Sequence, residues 1–426
     1  MMTRPFAYIA FWLCCCTQLS LHASGLLRDL PDLPFVHFDH NELVVEGGCE
    51  QLEHFFCKLD TVMFMGKGHL HVLHIGGSHV QAGTMTQQFR DNLLELSADL
   101  AGGPYFVFPF AAGKTNTPSH YRISYTGEWK LSRSAVVKPD NKRMGLAGVA
   151  VTTRSNDASV RVVTRPRTPS DRSPQFCFDQ VTVLGYDDET GRSVPVVAWG
   201  DSVLHGDFDT AASAYRFTLP ALTDSVCICF ERMPGEFTLT GVLLGNGRDG
   251  ISVNGIGANG AKVTSYLACE DFARDLALIP PDLVIFGIGI NDAIDTHFQP
   301  DSFKMNYHRL IDRIRSVSPD CALLFITNND SYRKIRSNRY QVNSNGSLAE
   351  KAFLELGREW HAPVWDQFDV MGGIGSMQQW QNKGLAQKDK VHFTAEGYRL
   401  MGDLLFNALA AKYAEHQKRQ LDTRQP

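Results

Sequence analysis

Apolar and polar positions recur along this chain with two different periods, and the switch between them divides it into three stretches. In the first stretch, Leu52, Phe55, Phe56, Leu59, Val62 and Met63 fall at i, i+3, i+4 and i+7, which predicts an amphipathic helix over residues 50–65. Gly66 and Gly68 end it. Residues 70–75 form a continuous apolar run, as expected of a strand buried on both faces, and 84–96 is helical again. Between about Tyr121 and Gly247 the helical period vanishes. Runs at 147–153, 159–164, 180–184, 194–199, 215–219, 226–230 and 237–242 are β-branched or alternating, with turn residues between them. That spacing predicts a β-sandwich or jelly roll. Past Asp249 the first texture returns, with strands expected at 251–253, 283–288, 321–326 and 362–365 and helices at 261–278, 307–316, 347–360 and 396–415. The pattern is that of an α/β protein: a doubly wound parallel sheet in three α/β/α layers, interrupted by an inserted β-domain. The expected boundaries are a catalytic-type domain over 26–120 and 248–418, an insert over 121–247 and a tail over 419–426.

Composition narrows the function. Lys+Arg number 41 and Asp+Glu 46, a net charge of −5, so the basic excess of a nucleic-acid binder is missing. Residues 6–16 make an apolar run of roughly eleven residues after Arg4, too short for the roughly 20 that span a bilayer. Small residues at Ala23-Ser24-Gly25 suit a cleavage site, so residues 1–25 read as a secretory signal. A lipid anchor on Cys14, Cys15 or Cys16 is disfavoured, because the small residue wanted before an acylated cysteine is missing. Those three of the 10 cysteines leave an odd number behind, a poor disulfide framework. The chain is expected to be exported, to the periplasm or surface of a Gram-negative bacterium, without depending on disulfides.

Four short blocks carry candidate chemistry, each near the end of a predicted strand or the start of a helix. Gly76-Gly77-Ser78-His79 puts a serine at a strand-to-helix junction, where a helix N-terminus favours developing negative charge; a plain helix cap is the alternative. Asp389-Lys390-Val391-His392 offers in one loop an imidazole base and a carboxylate to fix its tautomer. Gly289-Ile290-Asn291-Asp292 offers an uncharged side-chain donor for an oxyanion, or simply a turn. Gly255-Ile256-Gly257-Ala258-Asn259-Gly260 matches a dinucleotide pattern, but no acidic residue closes the next strand at the required distance, so no nucleotide is expected. Its glycines instead let a backbone N–H approach a substrate oxygen. His69, His71, His74 and His79 lie close in sequence without a supporting third ligand type, and no metal is expected.

Taken together, the blocks resemble those of the SGNH (GDSL-type) hydrolase superfamily, in the usual order: Ser78, then Gly257 to Gly260, then Asn291, then Asp389 and His392. The long β insertion after the serine block is similar to the layout of periplasmic peptidoglycan O-acetylesterases, and residues 73–83 look like the serine block of exported Bacteroidetes members. One position departs from the family: Gly77 stands where an Asp usually precedes the serine. The resemblance implies a serine esterase with nucleophile Ser78, base His392 and orienting Asp389. It implies an oxyanion hole from the N–H groups of Ser78 and Gly260 and the side chain of Asn291, with no cofactor. The implied partner is an acetylated polysaccharide, peptidoglycan or another glycan. Trp129, Tyr186, Trp199 and Phe208 of the insert are candidate sugar platforms. An O-acetyltransferase, or a glycan-binding protein with a non-catalytic SGNH domain, are the alternatives.

Overall fold

The computed structural model describes residues 26–96, 100–103, 105–136, 142–164, 177–187, 193–231, 235–336 and 339–423. The expected signal over 1–25 lies outside the described residues. A six-stranded central sheet runs in the order Leu43–Val44, Val364–Trp365, Ala322–Ile326, Leu283–Gly287, His69–Gly76 and Gly250–Gly257. The two-residue edge strand pairs antiparallel and all other neighbours are parallel. Counted in chain order, the parallel strands stand 2-1-3-4-5, the flavodoxin-like winding. Winding reverses between His69–Gly76 and Leu283–Gly287, so the crevice at their carboxyl ends is where such a sheet holds its site.

Side chains alternate across the sheet and separate two apolar layers. Val284, Phe286, Leu323 and Phe325 face Tyr307, Leu310 and Ile314 of helix Pro300–Arg315 and Phe353 and Leu356 of helix Asn345–Trp360. Leu283, Ile285, Leu324 and Ile326 face the other way, onto Phe55 and Phe56 of helix Glu50–Met65, Phe89 of helix Thr84–Leu94 and Leu405 of helix Ala395–Asp422. This is the expected three-layer architecture.

The seven β-type runs of the middle stretch are all strands. With five further strands they build a five-stranded and a seven-stranded antiparallel sheet. Val160, Val162, Val226 and Ile228 from the first meet Val181, Val183, Phe217 and Phe237 from the second in one core. The sandwich also takes in Tyr105–Val107, upstream of residue 121, which pairs with Phe237–Gly245. Its core is continuous with one layer of the α/β domain, because Leu146, Ala147 and Val149 belong to the same apolar cluster as Tyr266, Cys269 and Phe272.

Two expectations need correcting. The helix over 261–278 is instead two short ones, Val263–Leu267 and Phe272–Leu276. Between them the Asp271 N–H donates to Met144 O of the sandwich (3.0 Å), so tertiary contact replaces a turn of helix. The residues from 419 are not a frayed end, since the last helix runs to Asp422 and Arg419 pairs with Glu53; residues 424–426 lie outside the described residues. The described cysteines are all free. Among the described residues no helix is long and apolar enough to cross a membrane.

Candidate active site

Strand His69–Gly76 passes through Gly77 into the short helix Ser78–Gln81. Ser78 does not cap that helix; its Oγ lies 2.8 Å from His392 Nε2. His392 Nδ1 lies 2.7 Å from Asp389 Oδ2. With Nδ1–H donated to the carboxylate, Nε2 carries the lone pair that accepts the serine proton. The other oxygen of Asp389 accepts from the N–H groups of Val391 and His392, both at 3.0 Å. Partial burial by itself would raise the Asp389 pKa; the His392 ring and these two N–H groups outweigh it and hold the carboxyl at about 2. Asp389 is thus ionised at any pH at which the site works. Thr394 caps the closing helix as well, accepting from Gly397 N–H at 3.3 Å, so the ordinary reading of that loop and the chemical one hold together.

The other two blocks meet at Gly77. A Cβ placed there would lie 3.2 Å from Asn291 Nδ2 and 3.5 Å from Ala261 O. The departure from the family pattern therefore sits where any side chain would crowd the asparagine. Asn291 donates one amide hydrogen to Ala261 O at 2.9 Å, which orients its NH₂ group. Gly260 occupies a turn closed by Ala261 N–H to Ala258 O (2.9 Å), with φ of +82° that disfavours a side chain. The Ser78 and Gly260 N–H groups have no backbone acceptor among the described residues. The geometry thus brings Ser78, Asp389 and His392 into one relay and packs the Asn291 side chain and the Gly260 turn against the peptide that precedes the serine.

Several supporting contacts were not read from the sequence. The buried Tyr266 hydroxyl donates between Gly76 O (2.8 Å) and Ile256 O (3.3 Å), joining the ends of the serine and glycine strands. The Gln81 side chain accepts from Asn259 N–H (2.7 Å) and donates to Asn116 Oδ1 (2.9 Å), locking the glycine turn to the serine helix. His79 hydrogen-bonds the Tyr398 hydroxyl (2.7 Å), and its ring packs 5.1 Å from that of His392. Burial, aided by the nearby His392 and opposed by Asp389, lowers the His79 pKa to about 3, so it backs the catalytic-type imidazole as a neutral ring. Of the other histidines singled out, His74 bonds Thr86 Oγ1 at 2.8 Å. Asp292 accepts from Val263 N–H at 3.3 Å, and its burial lifts its pKa to about 7. Among the proposed platforms only Phe208 is exposed; Trp129 and Trp199 pack on the core and Tyr186 lies under Arg143.

A serine, imidazole and carboxylate at the switch point of a doubly wound sheet define a serine hydrolase. The GDSL-like lipase/acylhydrolase family model matches residues 198–400, which hold Gly260, Asn291, Asp389 and His392 but not Ser78. Residues 198–400 thus resemble the GDSL-like lipase/acylhydrolase family, and the site as a whole is that of a serine esterase. In fold it is similar to a solved peptidoglycan O-acetylesterase, with a TM-score of 0.69 at 21% identity over 88% of this chain and 99% of that one. An acetyl xylan esterase aligns at 21% identity over 37% of this chain and 81% of its own, with a TM-score of 0.30. A family two carbohydrate esterase from Cellvibrio japonicus aligns at 11% identity over 70% and 99%, with a TM-score of 0.28. No curated protein matches the chain.

Proposed function

We propose that this protein is an exported O-acetylesterase that removes acetyl groups from a polysaccharide, with peptidoglycan the favoured polymer. The relay from Ser78 through His392 to Asp389 carries the reading. Ser78 Oγ attacks the acetyl carbonyl as His392 Nε2 takes its proton, and the developing imidazolium is held by the ionised Asp389. The oxyanion is met by the N–H groups of Ser78 and Gly260 and by the Asn291 amide. His392 then protonates the sugar oxygen as it leaves. Water, deprotonated by the same imidazole, attacks the acetyl-serine; the bond to Ser78 Oγ breaks, His392 returns the proton to Oγ, and acetate is released. The His392 side chain is 32% exposed, which leaves water a path to the acyl-enzyme. The shared fold, sandwich included, with a structure solved as a peptidoglycan O-acetylesterase supports the choice of polymer. Ser78→Ala should fold normally and lose several orders of magnitude in kcat on an aryl acetate. Acetate release measured from O-acetylated peptidoglycan and acetylated xylan tests the substrate; unchanged release by folded Ser78→Ala protein would sink the serine mechanism.

A further inference from the structure

Strands Tyr332–Arg336 and Arg339–Val342 form a hairpin that joins neither the central sheet nor the sandwich. It leaves the carboxyl edge of the central sheet after Ala322–Ile326, and its root is tied to both walls of the site. On one side Tyr332 N–H donates to Lys390 O (3.0 Å), within the loop of Asp389 and His392. On the other, Arg333 Nη2 and Asn343 Nδ2 donate to Ala293 O (3.4 and 3.2 Å), at the end of the short helix that carries Asn291. The Lys390 ammonium sits 4.7 Å from the Tyr332 ring and 5.7 Å from the Tyr340 ring, and its backbone takes the left-handed conformation.

The hairpin is strongly basic. Arg333, Lys334, Arg336 and Arg339 lie on it, and Lys388 and Lys390 lie in the adjoining loop. Lys334, Arg336 and Arg339 are exposed, and among the described residues none of them pairs with a carboxylate. The acidic groups nearby are already engaged: Asp389 holds His392, Asp295 pairs with Lys262, and Asp292 and Asp330 are mostly buried. In a chain of net charge −5, this concentrates uncompensated positive charge on a hairpin rooted beside the elements that carry His392 and Asn291. Such a hairpin draws in and aligns an anionic polymer and does little for a neutral one.

We propose that Lys334, Arg336 and Arg339 on the two strands of this hairpin bind carboxylates of the acylated polymer, so that the preferred substrate is an anionic O-acetylated glycan. This rests on the esterase reading above and narrows its substrate class. The polymer lies across the hairpin with a carboxylate against Lys334, Arg336 or Arg339 while a neighbouring acetyl group reaches Ser78. No covalent step is added.

The test is a variant carrying Lys334→Gln, Arg336→Gln and Arg339→Gln, assayed beside the unaltered protein on three substrates. These are p-nitrophenyl acetate, acetylated xylan with an uncharged backbone, and O-acetylated peptidoglycan with its peptide carboxylates. The variant should lose about tenfold in kcat/KM on peptidoglycan and little on the other two. The unaltered protein's activity on peptidoglycan should fall steeply between low and moderate salt, and the variant's should not. Equal kcat/KM and equal salt dependence for the two proteins on peptidoglycan would overturn the inference. So would a parallel loss on all three substrates, which would make the hairpin part of the general scaffold. Activity of the unaltered protein on xylan but not on peptidoglycan would also overturn it while leaving the esterase reading in place. Failure on all three polymers and esters would remove that reading and the inference with it.

Discussion

Asn291 shows how little sequence a functional residue needs. Its amide is aimed by one bond to Ala261 O, and Gly77 leaves the space beside it open. If its second hydrogen meets the oxyanion, Asn291→Ala should cost about 10²–10³ in kcat with KM nearly unchanged. Steady-state kinetics on an aryl acetate decides this, and a pure KM effect would move Asn291 to ground-state binding. The triad and Asn291 were legible because each falls in a short block at a strand end or before a helix, and such positions converge in this class of sheet. The supporting roles of His79, Gln81 and Tyr266 were not, although His79 stood in the serine block. A histidine, a glutamine and a tyrosine inside helices look like ordinary surface or core residues until the fold brings Tyr398, Asn259 and the Gly76 carbonyl to them.

Tyr266 belongs as much to its element as to itself. It stands on the helix Val263–Leu267, and its hydroxyl bridges two adjacent strand ends beneath Ser78 and the Gly260 turn. Tyr266→Phe keeps the packing and removes only the bridge. We expect a loss of about 1–3 kcal/mol in urea unfolding, the cost of leaving a buried carbonyl unpaired, and a lower kcat as the two strand ends loosen. The same helix pair explains what the sequence hid. Periodicity over 261–278 is helical, but the sandwich supplies a Met144 carbonyl to Asp271 N–H, a backbone acceptor to which apolar spacing is blind. The hairpin of Tyr332–Arg336 and Arg339–Val342 was missed for a different reason: none of its strand residues is buried, so no apolar alternation marks it. The sandwich strands were easy, since a strand such as Ser225–Glu231 alternates strictly between buried and half-buried positions. The sandwich is also clamped, with Arg143 bonded to Asp271 (2.7 and 2.9 Å) and Leu146 N–H to Asp275 (3.1 Å). Excising 121–247 would uncover Tyr266 and Phe272, so the insert serves as a wall of the α/β domain.

At the scale of the whole molecule, buried imidazoles set the response to acid. His74 and His79 are buried and His120 is half-buried with its ring enclosed, and loss of hydration lowers each pKa to about 3 from an ordinary value of 6.5. Between those values the unfolded chain binds protons that the folded chain refuses. The stability these rings contribute is therefore full above about pH 6.5 and falls as the pH drops toward 3, offset in part by Asp292 and Glu350, whose carboxyls, raised to about 7, gain stability over the same fall. Asp389, held at about 2, adds a further loss below the ordinary carboxylate range. Thermal melts from pH 7.5 down to 4.5 should show a steadily falling Tm that His74→Gln or His120→Gln flattens where the variant folds. A Tm independent of pH across that range would refute this account.

The strand that delivers Ser78 lies in the interior of the sheet, and both of its neighbours, Gly250–Gly257 and Leu283–Gly287, come after the whole sandwich in the chain. As the polypeptide is made, His69–Gly76 emerges with neither edge matched and waits for more than a hundred residues of β structure before a partner arrives. Its apolar side chains and open backbone groups are then a template for any passing strand. The order of the blocks, which leaves the finished site untouched, thus makes the nucleophile's own strand the most exposed part of the molecule while it is being born.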